Sequence, residues 1–157
     1  MINFFSGQTA TPNSYPWLAA LGYNITNSTT RISTTQFLCG STLITQRHLV
    51  SAAHCIISTL LLARLGAFDI TQTPDGVNTI DANVVATYVH EFYDSRRITN
   101  DISIIKLDRI LQMTNSIRPI CLPLSDAMRY KDFTGMMGWV VSGTVLKMSQ
   151  KFFAGFC

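Results

Sequence analysis

Charge is scarce in this sequence, because charged residues make up only 13% of its 157 positions, about half of the usual share in a globular chain. The 12 Lys and Arg residues exceed the 9 Asp and Glu residues by a formal net charge of +3, and the basic residues are spread along the chain. Proteins that bind nucleic acid or anionic membranes concentrate positive charge in one region. We therefore expect neither nucleic acid nor a membrane as a partner.

Long apolar runs are also missing. No stretch reaches the roughly 18 consecutive apolar residues of a transmembrane helix. The apolar run in the opening MINFFSGQTA is too short for a signal peptide. We therefore expect any secretion signal to be absent from this chain. Apolar residues nevertheless make up 47% of the sequence, enough to form the buried core of one folded domain.

The sequence shows little helical periodicity. Its apolar residues form short continuous or alternating runs, which are typical of β-strands. Between the runs, the segments 23–35 and 69–79 are rich in Asn, Asp, Gly, Pro and Thr, so we predict that they are loops. Six strands in this pattern predict an all-β barrel or sandwich. The runs are WLAALGY (17–23), QFLCGSTLI (36–44), HLVSA (48–52), LLARLG (61–66), NVVATYVH (83–90) and DISIIKL (101–107).

The four cysteines admit three complete pairings, among which the sequence does not choose. A zinc site would recruit Cys39, His54 and Cys55, but neighbours in an extended strand point to opposite faces and no CxxC or HxxxH spacing is present. The alternative is a disulfide between Cys39 and Cys55. It would stabilise the chain by about 3 kcal/mol and indicate an oxidising compartment.

Two sequons, Asn24-Ile-Thr and Asn27-Ser-Thr, lie in the first predicted loop. Such sequons are acceptors for N-glycosylation in the secretory pathway. Asn24 and Asn27 are therefore candidate glycosylation sites.

Three motifs in a fixed order carry a resemblance to a known family. CGSTLITQRHLVSAAHC (39–55), NDISIIKL (100–107) and IRPICLP (117–123) resemble the first half of a chymotrypsin-like, trypsin-family serine endopeptidase. The likeness extends from about Gly7 to about Met137. It implies a double β-barrel with the active site between the barrels, of which the first six-stranded barrel is present and the second only begun.

The resemblance divides the chain into three parts. Residues 7–117 would form the first barrel, residues 118–138 the connector and the start of the second barrel, and residues 139–157 a divergent tail. Cys121 resembles the family cysteine that tethers the catalytic domain to a propeptide. Its state stays open between a free thiol, a bond to another chain and a bond to Cys157.

The resemblance also assigns roles. It implies that His54 is the general base, that Asp101 orients and stabilises its imidazole, and that Cys39 and Cys55 are bonded. His48 and His90 match no catalytic motif and are expected to be surface or packing residues.

Other positions of the family pattern argue against further site residues. Ser51 and Ser103 flank the motifs but are not placed as nucleophiles. Ala67 stands where calcium-binding relatives often carry a glutamate, so we expect no metal, and the pattern suggests no cofactor.

The family's nucleophile lies in a GDSGGP motif, which the 157 residues do not contain. One hypothesis is therefore a secreted serine endopeptidase truncated before its nucleophile and inactive as it stands. The alternative is a non-catalytic, protease-like binding protein. Completed by a second barrel, the chain would meet protein or peptide substrates or inhibitors.

Overall fold

A computed structural model describes residues 12–70, 78–132 and 134 of the chain. Its helical elements are a short 3₁₀ turn, Ala53–Cys55, and a single-turn helix, α1 (Asp126–Arg129), neither of which has the length or apolar content to cross a membrane. The remaining regular structure is β-sheet, so the predicted all-β class is confirmed. The strands are β1 (Leu18–Thr26), β2 (Ser33–Leu43), β3 (His48–Ser51), β4 (Leu60–Leu65), β5 (Ile80–Val89) and β6 (Ser103–Leu107).

The six strands form a closed antiparallel barrel in the order β1-β2-β3-β6-β5-β4. Closure comes from the pairing of β1 with β4, for example Leu21 with Ala63, and it leaves neither strand as an unpaired edge. Of the two architectures that the apolar runs allowed, the chain therefore adopts the barrel.

The barrel interior is filled by alternate residues of every strand, because successive side chains in a strand point to opposite faces. Its large apolar members, among them Leu21, Leu43, Leu49, Leu65 and Ile105, have no solvent exposure. Burying one such side chain stabilises the fold by about 2 kcal/mol.

The predicted loop over 23–35 is shorter than expected. β1 continues to Thr26 and β2 begins at Ser33, so only residues 27–32 connect them. The β-branched Thr residues of this segment suit strands, and the hydroxyls of Thr26 and Ser33 lie 2.8 Å apart across the pair. Asn24 is therefore on a strand, whereas Asn27 begins the turn.

Beyond β6 the chain runs back over the barrel as an irregular connector. The backbone N–H of Arg118 donates to Pro16 O at 2.9 Å, and that of Ile120 donates to Leu43 O at 2.8 Å. Cys121 is disulfide-bonded, so the free-thiol alternative does not hold, and its partner lies outside the described residues. The predicted tail over 139–157 also lies outside them.

Candidate active site

Hydrogen bonds from β6 hold the backbone just before His54 in place. β3 ends at Ser51, and the chain turns into the 3₁₀ segment with the N–H of Cys55 donating to Ala52 O at 3.2 Å. The buried hydroxyl of Ser103 lies 3.2 Å from Ser51 O and 3.1 Å from Ala52 O, and it donates to these carbonyls. The first residue of β6 thereby holds the end of β3 just before His54.

A disulfide provides a second restraint at this turn. Cys39 on β2 and Cys55 are bonded, with Cα atoms 6.1 Å apart, and both side chains are buried. The bond joins the far end of the turn to the neighbouring strand, so His54 is held between two anchored points.

Asp101 reaches the turn from the segment that leads into β6. Its Oδ2 lies 2.7 Å from His54 Nδ1, and its Oδ1 accepts the backbone N–H of His54 at 2.9 Å. The backbone N–H of Ala53 is a further donor to the same carboxylate. The structure thus brings together two candidate residues that are 47 positions apart in the chain.

The surroundings of Asp101 set its ionisation. Burial raises the pKa of this carboxyl, but hydrogen bonds from the His54 ring and from the backbone of His54 and Ala53 outweigh burial and hold the pKa below its ordinary value. The carboxylate is therefore ionised at neutral pH and can only accept hydrogen bonds. The short contact then requires the proton of a neutral His54 to sit on Nδ1, which leaves the lone pair on Nε2.

Exposure differs between the two partners in a way that suits proton transfer. The side chain of His54 is 48% exposed, whereas that of Asp101 is 18% exposed. Asp101 is therefore partly rather than fully buried in the described part of the chain. The imidazole can meet a second molecule while its carboxylate partner stays sheltered.

The three residues considered for zinc do come close together. The candidate ligand atoms of Cys39, His54 and Cys55 lie within 4.8 Å of one another. Residues 53–55 form a 3₁₀ turn and not the extended strand that the sequence predicted, so the opposite orientation of neighbouring side chains does not apply. The stronger argument against this site is chemical, since the two sulfurs are bonded to each other and offer no thiolate.

The remaining candidates have other surroundings. His48 Nδ1 lies 2.9 Å from Thr45 Oγ1, and His90 Nδ1 accepts the backbone N–H of Phe92 at 3.1 Å. The hydroxyl of Ser51 donates to Gly40 O at 2.8 Å. The positioning contact of Ser103 was missed by sequence reasoning, although the Asp-Ile-Ser spacing within the second motif could have suggested it.

A closed six-stranded antiparallel barrel with a His–Asp pair at a strand end defines the class of chymotrypsin-like serine proteases. The family model described as Trypsin matches residues 4–147, and the chain therefore belongs to the trypsin family.

Similar proteins agree with this assignment. The chain is 35% identical to mouse chymotrypsin-C over 135 residues, which cover 85% of this chain and 48% of that protein. It is 30% identical to a venom protease of Bombus pensylvanicus over 138 residues, covering 85% and 56%. The crystal structure of the Drosophila Grass clip serine protease of the Toll pathway matches with a TM-score of 0.64 and 30% identity, covering 81% of this chain and 39% of that one. The chain thus spans about half the length of the curated relatives it matches.

Proposed function

We propose that this chain supplies the general base and its orienting carboxylate to a serine endopeptidase that hydrolyses peptide bonds of protein or peptide substrates. The observation that carries the proposal is the 2.7 Å contact between His54 Nδ1 and Asp101 Oδ2. This contact selects the tautomer with a free lone pair on Nε2, which a general base requires.

In the proposed reaction, His54 Nε2 removes the proton from a serine hydroxyl as the oxygen attacks the substrate carbonyl carbon. The imidazolium that forms is stabilised by the Asp101 carboxylate, and it then returns the proton to the leaving amine. The Cys39–Cys55 bond and the Ser103 contacts keep the imidazole within hydrogen-bonding distance during both transfers. Because the 157 residues hold no GDSGGP motif, the nucleophile and the oxyanion donors would come from sequence outside them.

A non-catalytic binding protein on the same barrel is the competing proposal. A binding surface needs neither a fixed histidine tautomer nor an ionised carboxylate beneath it. The intact pair of His54 and Asp101 therefore supports the endopeptidase.

Peptide hydrolysis by protein that carries these residues with the remainder of a catalytic domain tests the proposal. We expect Asp101→Asn to lower kcat by about 10⁴-fold, because the amide reverses the tautomer of His54. His54→Ala should be similarly inactive, while His48→Ala, which changes a histidine outside the site, should retain activity.

A 157-residue polypeptide expressed by itself should be inactive.

Two outcomes would contradict the endopeptidase. One is a folded complete protein that hydrolyses no peptide but retains tight binding of a protease inhibitor, which would favour the binding protein. The other is full activity in the His54→Ala variant.

The disulfide bonds and one relative support secretion of the protein. Disulfides persist in oxidising compartments, and one relative is named as a venom protease. Asn24 and Asn27 are both exposed, as glycosylated residues must be. We therefore include secretion and N-glycosylation of this hairpin in the proposal.

A further inference from the structure

The segment between β5 and β6, residues 90–102, carries an adjacent basic pair that the proposed catalysis does not use. Arg96, Arg97 and the following Ile98 are all exposed, with the Arg97 side chain at 83% and Ile98 at 65%. This triplet lies in a turn at the tip of the segment. Exposed loop tips are preferred sites of proteolytic cleavage.

The tip is held mainly by contacts that water can replace. Asp94 and Thr99 exchange backbone hydrogen bonds at 3.1 and 3.3 Å, and Asp94 Oδ1 accepts the backbone N–H groups of Arg96 and Arg97 at 2.8 and 3.2 Å. The Arg97–Asp94 ion pair is long, at 3.8 Å, and exposed. A segment with so little buried apolar area opens at low free-energy cost.

The bond after Arg97 is also conformationally strained. Ile98 has φ of 53°, a left-handed conformation that is unfavourable for a β-branched side chain by about 1–2 kcal/mol. Local opening releases this strain, which further favours the extended conformation in which a protease binds its substrate.

Arg31 offers a comparison within the same chain. It is followed by the exposed Ile32 and also has a positive φ, of 58°. However, it lies in the short connection 27–32, where its N–H donates to Asn27 O and the N–H of Asn27 donates to Ile32 O, both at 2.9 Å. The flanking strands are paired up to Thr26 and Ser33, so only residues 27–32 are available to extend, against residues 90–102 between β5 and β6.

We propose that the Arg97–Ile98 peptide bond is a limited-proteolysis site for an endopeptidase that recognises arginine. Water adds across the bond, leaving a carboxylate on Arg97 and an ammonium group on Ile98. β6 remains paired with β3 and β5 after the cut, so the fragments 1–97 and 98–157 stay associated. The cut falls on the loop that leads to Asp101, but it depends on no activity of this chain.

The test is brief digestion of the full folded chain with a small amount of trypsin, followed by intact-mass measurement. Among the Lys and Arg residues that the structure describes, we expect the first cut after Arg97, at a rate at least about tenfold above that at the next of these sites, because cleavage follows the population of the locally open form. The two fragments should elute together from a sizing column in native buffer and separate in denaturant.

Variants separate the proposed site from general susceptibility. Replacing both arginines, Arg96→Gln with Arg97→Gln, should abolish the first cut, whereas Arg31→Gln should leave it unchanged. Within residues 12–70 and 78–132, a first cut at Arg31, or simultaneous cleavage at several Lys and Arg residues, would overturn the proposal. The site is mapped by mass, so loss of the proposed catalytic function would not affect this result.

Discussion

Backbone conformation at single residues distinguishes well-suited from strained positions. Among the described residues other than glycine, four have positive φ: Asn13, Arg31, Ile98 and Asn100. Asn tolerates the left-handed region because its short polar side chain bonds locally, whereas a β-branched residue collides with its own backbone. Ile98 is therefore the least suitable side chain of the four.

At this scale we predict that Ile98→Asn raises the free energy of unfolding by about 1 kcal/mol. Little burial is lost, because Ile98 is 65% exposed. Urea denaturation measures the change. Ile102→Asn is the matched control, since Ile102 is also exposed, at 46%, and is not among the residues with positive φ; an equal gain there would refute the strain explanation.

At the scale of elements, the close approach of β4 to the start of β5 depends on one glycine. Gly66 follows β4 with φ of 72°, and a Cβ atom there would overlap the backbone carbonyl of Asn78. Neither the conformation nor the space admits a side chain. By contrast, a Cβ on Gly40 in β2 would find its nearest atom, Ala19 O, 4.0 Å away.

We therefore expect Gly66→Ala to lower the free energy of unfolding by about 3 kcal/mol, combining the cost of the left-handed backbone with that of overpacking. Gly40→Ala should leave stability unchanged or slightly higher, because alanine restricts the unfolded chain. Thermal melting followed by circular dichroism compares the two. Equal melting temperatures would show that the chain between β4 and β5 can shift.

At the scale of the whole molecule, Tyr23 links the barrel core to the turn that carries His54. Its ring is 1% exposed, and its hydroxyl donates to Cys55 O at 2.8 Å. Burial raises the pKa of Tyr23 from 10.0 to about 12. In the unfolded chain the phenol ionises near its ordinary pKa, so between these two values the unfolded state has fewer bound protons than the folded state.

The protein should accordingly lose up to about 3 kcal/mol of stability as the pH rises from 10 to 12. Below pH 10 this contribution is fully present. Urea denaturation at several alkaline pH values measures the slope. The Tyr23→Phe variant should be less stable near neutral pH by about 1 kcal/mol, because it lacks the hydrogen bond. Its free energy of unfolding should also decrease less steeply at alkaline pH. An identical decrease in the variant would show that other groups cause the loss of stability.

The whole molecule also leaves apolar side chains exposed near the site and on the connector. Ile102 follows Asp101, and Leu122 and Leu124 are 41% and 71% exposed. Under the proposed function, the remainder of a protease domain would cover these side chains.

The sequence by itself determined the strand pattern, the family and the residues to consider. Alternation with a period of two is a local property, so each apolar run predicted its strand. The order and spacing of the three motifs can likewise be read from the sequence without knowledge of the packing. Polar composition wrongly predicted a loop at residues 24–26 and 33–35, which lie in β1 and β2, because strand pairing overrode the turn preference of these residues.

Only the tertiary structure decided that the strands close into a barrel and how His54 meets Asp101. Closure depends on β1 pairing with β4, and the ionisation of Asp101 depends on donors from the turn 53–55. Both are contacts between distant parts of the chain, whose geometry is set by packing and backbone hydrogen bonds that local patterns do not encode. The Asp-Ile-Ser spacing marks Ser103 as a neighbour of Asp101, but its contacts with the end of β3 depend on β6 lying beside β3 in the folded barrel.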